Sequence, residues 1–266
     1  MRAGAAKLFD LSGRIALVLG ASRGIGREIA CGLADAGAHV AVAGRTASDI
    51  ESCARDIRAA GGVSEVFRYD ALEIAGLPEF VTTVAGRMDG LDIFVHVAGA
   101  NRRKPALEQT EEDWGAVVDL NLKSLFFSAQ AVGRHWIEAK RFAPDRGPRR
   151  GKIIGIGSLT SAIGVANMAP YAASKSGLLG VIRVLAIEWA REGICVNAVA
   201  PGYIATEFTR PVQEDPSRNA WVLSRIPMGR WGRPSDLVGA AVFLASSASD
   251  YVTGQAVYVD GGWLAA

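Results

Sequence analysis

The chain of 266 residues has only three cysteines, Cys31, Cys53 and Cys195, which are scattered, odd in number and lack metal-ligand spacing. That excludes a disulfide-stapled scaffold and a cysteine-held metal, and leaves reduced, buried thiols as the expectation. Neither sign of charge dominates, with 29 Lys and Arg against 27 Asp and Glu for a net charge of +2. Such a balance argues against a nucleic-acid stripe or a polyanionic surface as the main partner. Met1 to Lys7 holds no long apolar run and leads directly into Leu8-Phe-Asp-Leu-Ser-Gly13. Neither a signal peptide nor a membrane anchor is expected, and the expected location is the cytoplasm. No internal repeat or linker interrupts the chain.

Half of the residues are hydrophobic, enough to bury one substantial core. Apolar runs alternate with amphipathic stretches throughout. Arg14 to Leu19 reads as a strand ended by Gly20, followed by a helix from about Gly24 to Ala36 that stops at Gly37. Further strands are expected at Val40–Ala43, Val63–Arg68, Leu91–Val97, Lys152–Ser158, Ile194–Ala200 and Gln255–Val259. Helices are expected at Ser48–Ala60, about Phe80–Arg87, Thr110 to about Trp136, Tyr171–Arg191 and Pro234–Ser246. The pattern specifies an α/β fold of one domain, a doubly wound and mostly parallel sheet of about seven strands with helices on both faces. Tyr203 to Arg230 is looser and broken by Pro211, Pro216 and Pro227, as a substrate lid requires. Lys140 to Lys152 carries six basic residues against one Asp and reads as a solvated surface loop, with an anion or partner contact as the alternative.

Gly20-Ala-Ser-Arg-Gly24-Ile-Gly26 falls between the first strand and the first helix, where glycines let the backbone approach a pyrophosphate at a helix N-terminus. At the end of the second strand an acid would hold a ribose 2′-hydroxyl, but this chain has Gly44-Arg45-Thr46 there. Arg45 and Arg23 offer guanidinium groups to a 2′-phosphate of roughly −1.5 to −2 charge, which favours NADP(H) with NAD(H) still possible. A solvated loop arginine is the other reading of Arg45.

Tyr171-Ala-Ala-Ser-Lys175 places a phenol and an ammonium one turn apart on a helix face. A phenol titrates near pH ~10, and a neighbouring cation lowers that value toward acid/base work. Ser158 ends the apolar run Lys152–Ser158, which reads as a buried strand, so its hydroxyl emerges at a C-terminal sheet edge, where open parallel sheets place ligands. Taken alone the Tyr–Lys spacing is common in helices, with the tyrosine half-buried and the lysine solvated.

Together these features resemble the short-chain dehydrogenase/reductase family from Leu8 to Trp263. The matching series is the glycine cradle, Asp70, Ala98-Gly99, Asn121, Ser158, Tyr171 with Lys175, and Asn197-Ala-Val-Ala-Pro201-Gly202. The resemblance implies a Rossmann-type domain in an enzyme acting on CH–OH groups. It implies Tyr171 as proton donor or acceptor at the substrate oxygen, and Ser158 orienting that oxygen. Lys175 would lower the tyrosine pKa and hold the nicotinamide ribose, while Asn121 would anchor a proton-relay water. The cofactor would lie against Gly20, Ser22, Arg23, Gly24, Ile25, Gly26 and Arg45. Its adenine would face Asp70 and Ala71, and its ribose and nicotinamide would meet Ala98, Gly99, Pro201, Gly202, Ile204 and Thr206. A homotetramer or homodimer is implied, packed through the long helices and the last strand.

The chain departs from the family at three places. The usual Asn-Asn-Ala-Gly is His96-Val97-Ala98-Gly99, the usual Thr before Gly20 is Leu19, and the usual Val after Asp70 is Ala71. His96 is expected to be structural, supplying one of the lost amide bonds. After the fourth strand comes Asn101-Arg-Arg-Lys-Pro105, similar to gluconate and deoxygluconate dehydrogenases, in which Arg102 or Arg103 would grip a substrate carboxylate. Exposed loop charges are the other reading of these arginines. The substrate class expected is a sugar acid or similar polar hydroxy or keto compound. A 3-oxoacyl-carrier-protein reductase is the runner-up, and a non-catalytic NAD(P)-binding sensor or scaffold is the reading from another class.

Overall fold

The computed structural model describes residues 4–143, 145, 147 and 149–266. The basic segment expected as a solvated loop falls partly on this gap, and Arg146 lies outside the described residues. Seven strands form one sheet: β1 (Ile15–Leu19), β2 (His39–Gly44), β3 (Val63–Arg68), β4 (Ile93–His96), β5 (Gly151–Ile156), β6 (Ile194–Pro201) and β7 (Ala256–Val259). Their order is β3-β2-β1-β4-β5-β6-β7, and every pair is parallel rather than only most of them. Strands β1, β5 and β6 are buried at every position, which is why their sequences are continuous apolar runs without alternation.

Ten helices complete the described chain: α1 (Ala5–Leu8), α2 (Gly24–Asp35), α3 (Ala47–Ala59), α4 (Leu77–Arg87), α5 (Glu111–Val118), α6 (Ser124–Glu138), α7 (Ala169–Trp189), α8 (Arg210–Gln213), α9 (Pro216–Ser224) and α10 (Val238–Ala245). One apolar cluster includes residues of α4, α6 and α7 on one face of the sheet, and another includes residues of α2, α3 and α10 on the other. Within the first, Phe94 of β4 is 1 % exposed, and Trp136 meets Phe142 edge-on at 5.2 Å.

Three expectations about elements change. The helix expected from Thr110 to Trp136 is interrupted by a wide π-helical turn, Asp119–Lys123, between α5 and α6. Thr110 does cap α5, accepting from the Asp113 N–H at 3.1 Å. The loose region from Tyr203 to Arg230 carries two short helices, α8 and α9, which begin around Pro211 and Pro216, where a fixed φ suits the first helical turn. It packs as a small cluster of its own, in which Tyr203 meets Trp263 at 4.9 Å and Trp231 edge-on at 5.4 Å.

The basic segment is tied down more than a solvated loop would be. Arg141 pairs with buried Asp92 at 3.0 Å, and Lys152, in β5 and inaccessible to solvent, pairs with Asp250 at 2.8 Å. Asn197 bonds the Val252 carbonyl at 2.8 Å and accepts from the Gln255 N–H at 3.0 Å, so it fixes the approach to β7. Among the described residues, no helix is long and apolar enough to cross a membrane.

Phe94→Ala should lower the free energy of unfolding by about 3–5 kcal/mol, because the central strand cannot collapse into the space left. Urea denaturation followed by tryptophan fluorescence checks this, and a loss below about 1 kcal/mol would contradict the packing described.

Candidate active site

The sheet reverses its winding between β1 and β4, and the loops leaving those two strands part to form a crevice at their C-terminal ends. Leu19 ends β1 by accepting from the Val97 and Ala98 N–H groups at 2.8 and 3.2 Å, which sets the two loops side by side. Gly20 lies in this seam at φ +100°, and a Cβ there would stand 2.6 Å from the Ala98 nitrogen. Gly26 is equally confined, since a Cβ would meet the Gly20 carbonyl oxygen at 2.1 Å. The first turn of α2 therefore approaches the sheet edge closely, and its N-cap, Arg23, provides no side-chain cap. Free N–H groups and the positive end of the helix dipole suit a pyrophosphate.

A cleft of about 420 Å³ opens from this cradle. Every residue that the sequence assigns to the cofactor lines it: Gly20, Ser22, Arg23, Gly24, Ile25, Gly26, Arg45, Asp70, Ala71, Ala98, Gly99, Tyr171, Lys175, Pro201, Gly202, Ile204 and Thr206. Arg45 and Asp70 face each other at 3.8 Å, and Arg23 reaches Glu207 at 3.3 Å. Exposed pairs of this kind contribute about 0–1 kcal/mol, so both guanidinium groups remain available to a stronger anion. Thr46, Asp49, Glu207 and Phe208 also line the cleft, though sequence reasoning did not select them. The position of Glu207, one residue beyond the assigned Thr206, was the only signal for it.

At the far end Ser158 and Tyr171 meet. Ser158 follows β5, is buried, and accepts from the Thr160 N–H at 3.1 Å, which leaves its own O–H free to donate to the phenol. Ser161 ties this turn to α7 by donating to the Lys175 carbonyl at 2.9 Å. Asn121 sits in the wide turn, completely buried, and does not line the cleft directly. Its amide accepts from the Ala100 N–H at 2.7 Å and donates to the Ala100 carbonyl and to Ser174 Oγ, each at 3.0 Å. Ser174 in turn donates to the Tyr171 carbonyl at 2.7 Å.

The electrostatics differ from the sequence expectation. Burial holds the Tyr171 phenol above its ordinary value, while the Ser158 hydrogen bond and the Arg103 charge oppose that shift. Lys175 does not offset that burial. Its Nζ donates to the Ile156 carbonyl at 2.6 Å and stands 5.7 Å from the centre of the Tyr171 ring. Burial pushes the lysine itself down to about 8.

Arg102 and Arg103 do not line the cleft and are exposed. Arg103 nonetheless lies within charge range of both Tyr203 and Tyr171, and its charge opposes the upward shift of each phenol. His96 is buried and held neutral, pushed down to about 3 by burial first and then by the Lys175 charge. Ser124 donates to the Leu120 carbonyl at 2.6 Å, so it accepts from His96 Nε2–H at 2.9 Å. His96 thus braces β4 against the start of α6 rather than against a neighbouring strand.

Comparisons with known proteins agree with this geometry. A family model described as Enoyl-(Acyl carrier protein) reductase matches residues 20–264. The chain is 44 % identical over 257 residues to a 2-dehydro-3-deoxy-D-gluconate 5-dehydrogenase from Escherichia coli K12, covering 97 % of this chain and 98 % of the relative. It is 40 % identical over 255 residues to a gluconate 5-dehydrogenase from Gluconobacter oxydans 621H, covering 96 % of each. The crystal structure of a gluconate 5-dehydrogenase from Burkholderia cenocepacia J2315, in complex with NADP and tartrate, superposes with a TM-score of 0.92 at 39 % identity, covering 99 % of this chain and 100 % of the other. With the seven-stranded parallel sheet, the glycine cradle and the Ser158–Tyr171 pair at one crevice, these matches establish that the chain belongs to the short-chain dehydrogenase/reductase family.

Proposed function

We propose that the protein interconverts a secondary alcohol and a ketone on a sugar acid or a similar polar hydroxy or keto acid, with NADP(H) as cofactor. The observation that carries this reading is one cleft joining an anion cradle at α2 to a phenol that Ser158 and Arg103 approach from the substrate side. The cradle fits a dinucleotide, because two of its glycines stand where any Cβ would strike backbone. Arg45 and Arg23 would take the 2′-phosphate. When bound, NADP(H) supplies or accepts the hydride.

The chain's own groups manage the oxygen. Tyr171 stays protonated at neutral pH and so donates to the oxygen of a ketone during reduction, and Ser158 holds that oxygen in line. In the oxidative direction the phenol must lose its proton, and the cations on its two sides, Lys175 and Arg103, favour that loss. Asn121 holds the Ala100 backbone beside Lys175 and would anchor the water that carries protons outward. Residues 203–230 would close over the substrate as a lid, with Tyr203 handing Arg103 toward a carboxylate. The tartrate in the Burkholderia relative, a hydroxy acid, supports a pocket for carboxylates.

A homotetramer or homodimer belongs to the same proposal. Val184 and Ile187 on α7 are 52 % and 79 % exposed, and β7 is one of the two unpaired edges of the sheet, so an equivalent subunit would cover both. Three free thiols, with Cys53 pushed up to about 12 by burial, suit a reducing cytoplasm.

Three measurements test the reading. Tyr171→Phe should cut turnover by about a hundredfold to ten-thousandfold while leaving cofactor binding nearly intact, and wild-type turnover would refute the assignment. Arg103→Ala should raise KM for gluconate by about tenfold or more yet change KM for a neutral ketone little. Equal effects would count against a carboxylate site, and turnover of an acyl-carrier-protein ketone alone would favour the runner-up. Lys175 is cationic below about pH 8 and neutral above it. NADPH affinity, read by fluorescence titration, should therefore weaken as pH rises through that value and become flat in Lys175→Met.

A further inference from the structure

The side-chain amide of Asn101 is shut off from solvent at both Nδ2 and Oδ1, and neither atom has a hydrogen-bond partner. An amide offers two donors and two lone pairs, and leaving such groups buried and unmet costs about 1–3 kcal/mol. The position of Asn101 in the chain makes that cost informative. Its N-terminal neighbour Ala100 is clamped at both backbone groups by Asn121, at 2.7 and 3.0 Å. One residue earlier, a Cβ on Gly99 would lie 3.7 Å from Lys175 Nζ. Two residues later Arg103 lies within charge range of Tyr203 and the Tyr171 phenol. Asn101 is thus bracketed by backbone held against Asn121 on one side and by a charge near the Tyr171 phenol on the other.

The loop that carries it is held rigid by other contacts. Gln109 Nε2 donates to the Arg102 and Lys104 carbonyls at 3.0 and 3.1 Å, and Lys104 bridges to Asp113 at 2.5 Å. These bonds fix the loop without any contribution from the Asn101 amide. An unmet polar group on a fixed loop, two residues beyond Gly99 of the cleft lining, is the arrangement expected where a ligand supplies the missing partner.

We infer that Asn101 is a specificity-determining residue, whose amide hydrogen-bonds a substrate hydroxyl close to the carbon that exchanges hydride. The inference rests on the sugar-acid reading above and deepens it, because such substrates carry hydroxyls on both sides of a reacting carbon. A site that hydrogen-bonds a hydroxyl rejects the analogue lacking it far more strongly than an apolar pocket does. Arg103 would grip the carboxylate while Asn101 reads the hydroxyl pattern.

The test compares wild type with Asn101→Val and Asn101→Gln, using gluconate and its monodeoxy analogues, each lacking one hydroxyl. Asn101→Val should lose about tenfold or more in kcat/KM on gluconate, while on one analogue, already poor for the wild type, both proteins should perform alike. NADPH affinity should stay unchanged, and Asn101→Gln should recover part of the loss. A uniform loss across gluconate and all analogues would overturn the assignment. Melting without substrate gives an independent arm. Asn101→Val should melt at or above the wild-type temperature, because the fold loses no bond, whereas a lower Tm would show the amide to be structural and overturn the inference. If the wild type turns over no sugar acid, the substrate reading fails on its own, and the melting arm still decides whether the amide serves the fold.

Discussion

The buried amide of Asn121 is the interaction on which the site depends. It bonds both backbone groups of Ala100 and the hydroxyl of Ser174, so one side chain joins the loop leaving β4 to the helix that carries Tyr171 and Lys175. The wide helical turn from Asp119 to Lys123 makes this possible. An extra residue in the turn re-aims the side chain inward, at a cost in regular helical hydrogen bonding that a buried, fully used amide offsets. With the β4 loop and α7 locked together, Ser158 is brought into place by the Ser161 bond to Lys175, and the crevice between β1 and β4 acquires a reactive end.

Electrostatics at that end are a contest between desolvation and charge. Burial moves the phenol up and the lysine down, each away from its charged form, and the same burial keeps His96 neutral. Two cations lie near Tyr171, Lys175 with its Nζ 5.7 Å from the ring centre and Arg103 within charge range.

The exposed arginines at the other end follow a different logic. Arg23 and Arg45 are held loosely by Glu207 and Asp70 across water-accessible surface, where ion pairs exchange readily. Glu207 belongs to the region that carries the short helices, so one exposed pair links that region to the cradle.

The alternation of strands and helices, the cradle and the spacing of Tyr171 and Lys175 were legible in the residues, because glycines at a crowded turn and apolar runs of buried parallel strands leave local signatures. The wide turn at Asn121 left none, since its periodicity is that of an ordinary helix over most of its length. The location of Arg103 against Tyr203, the brace from His96 to Ser124 and the unmet amide of Asn101 were equally invisible, each being a contact between distant segments. Sequence alone determined which chemical groups exist and which elements carry them, because backbone conformation is set by neighbours along the chain. Only the tertiary structure decided which way the Tyr171 and Lys175 equilibria move, because desolvation depends on what the fold packs around a group and not on its place in a helix.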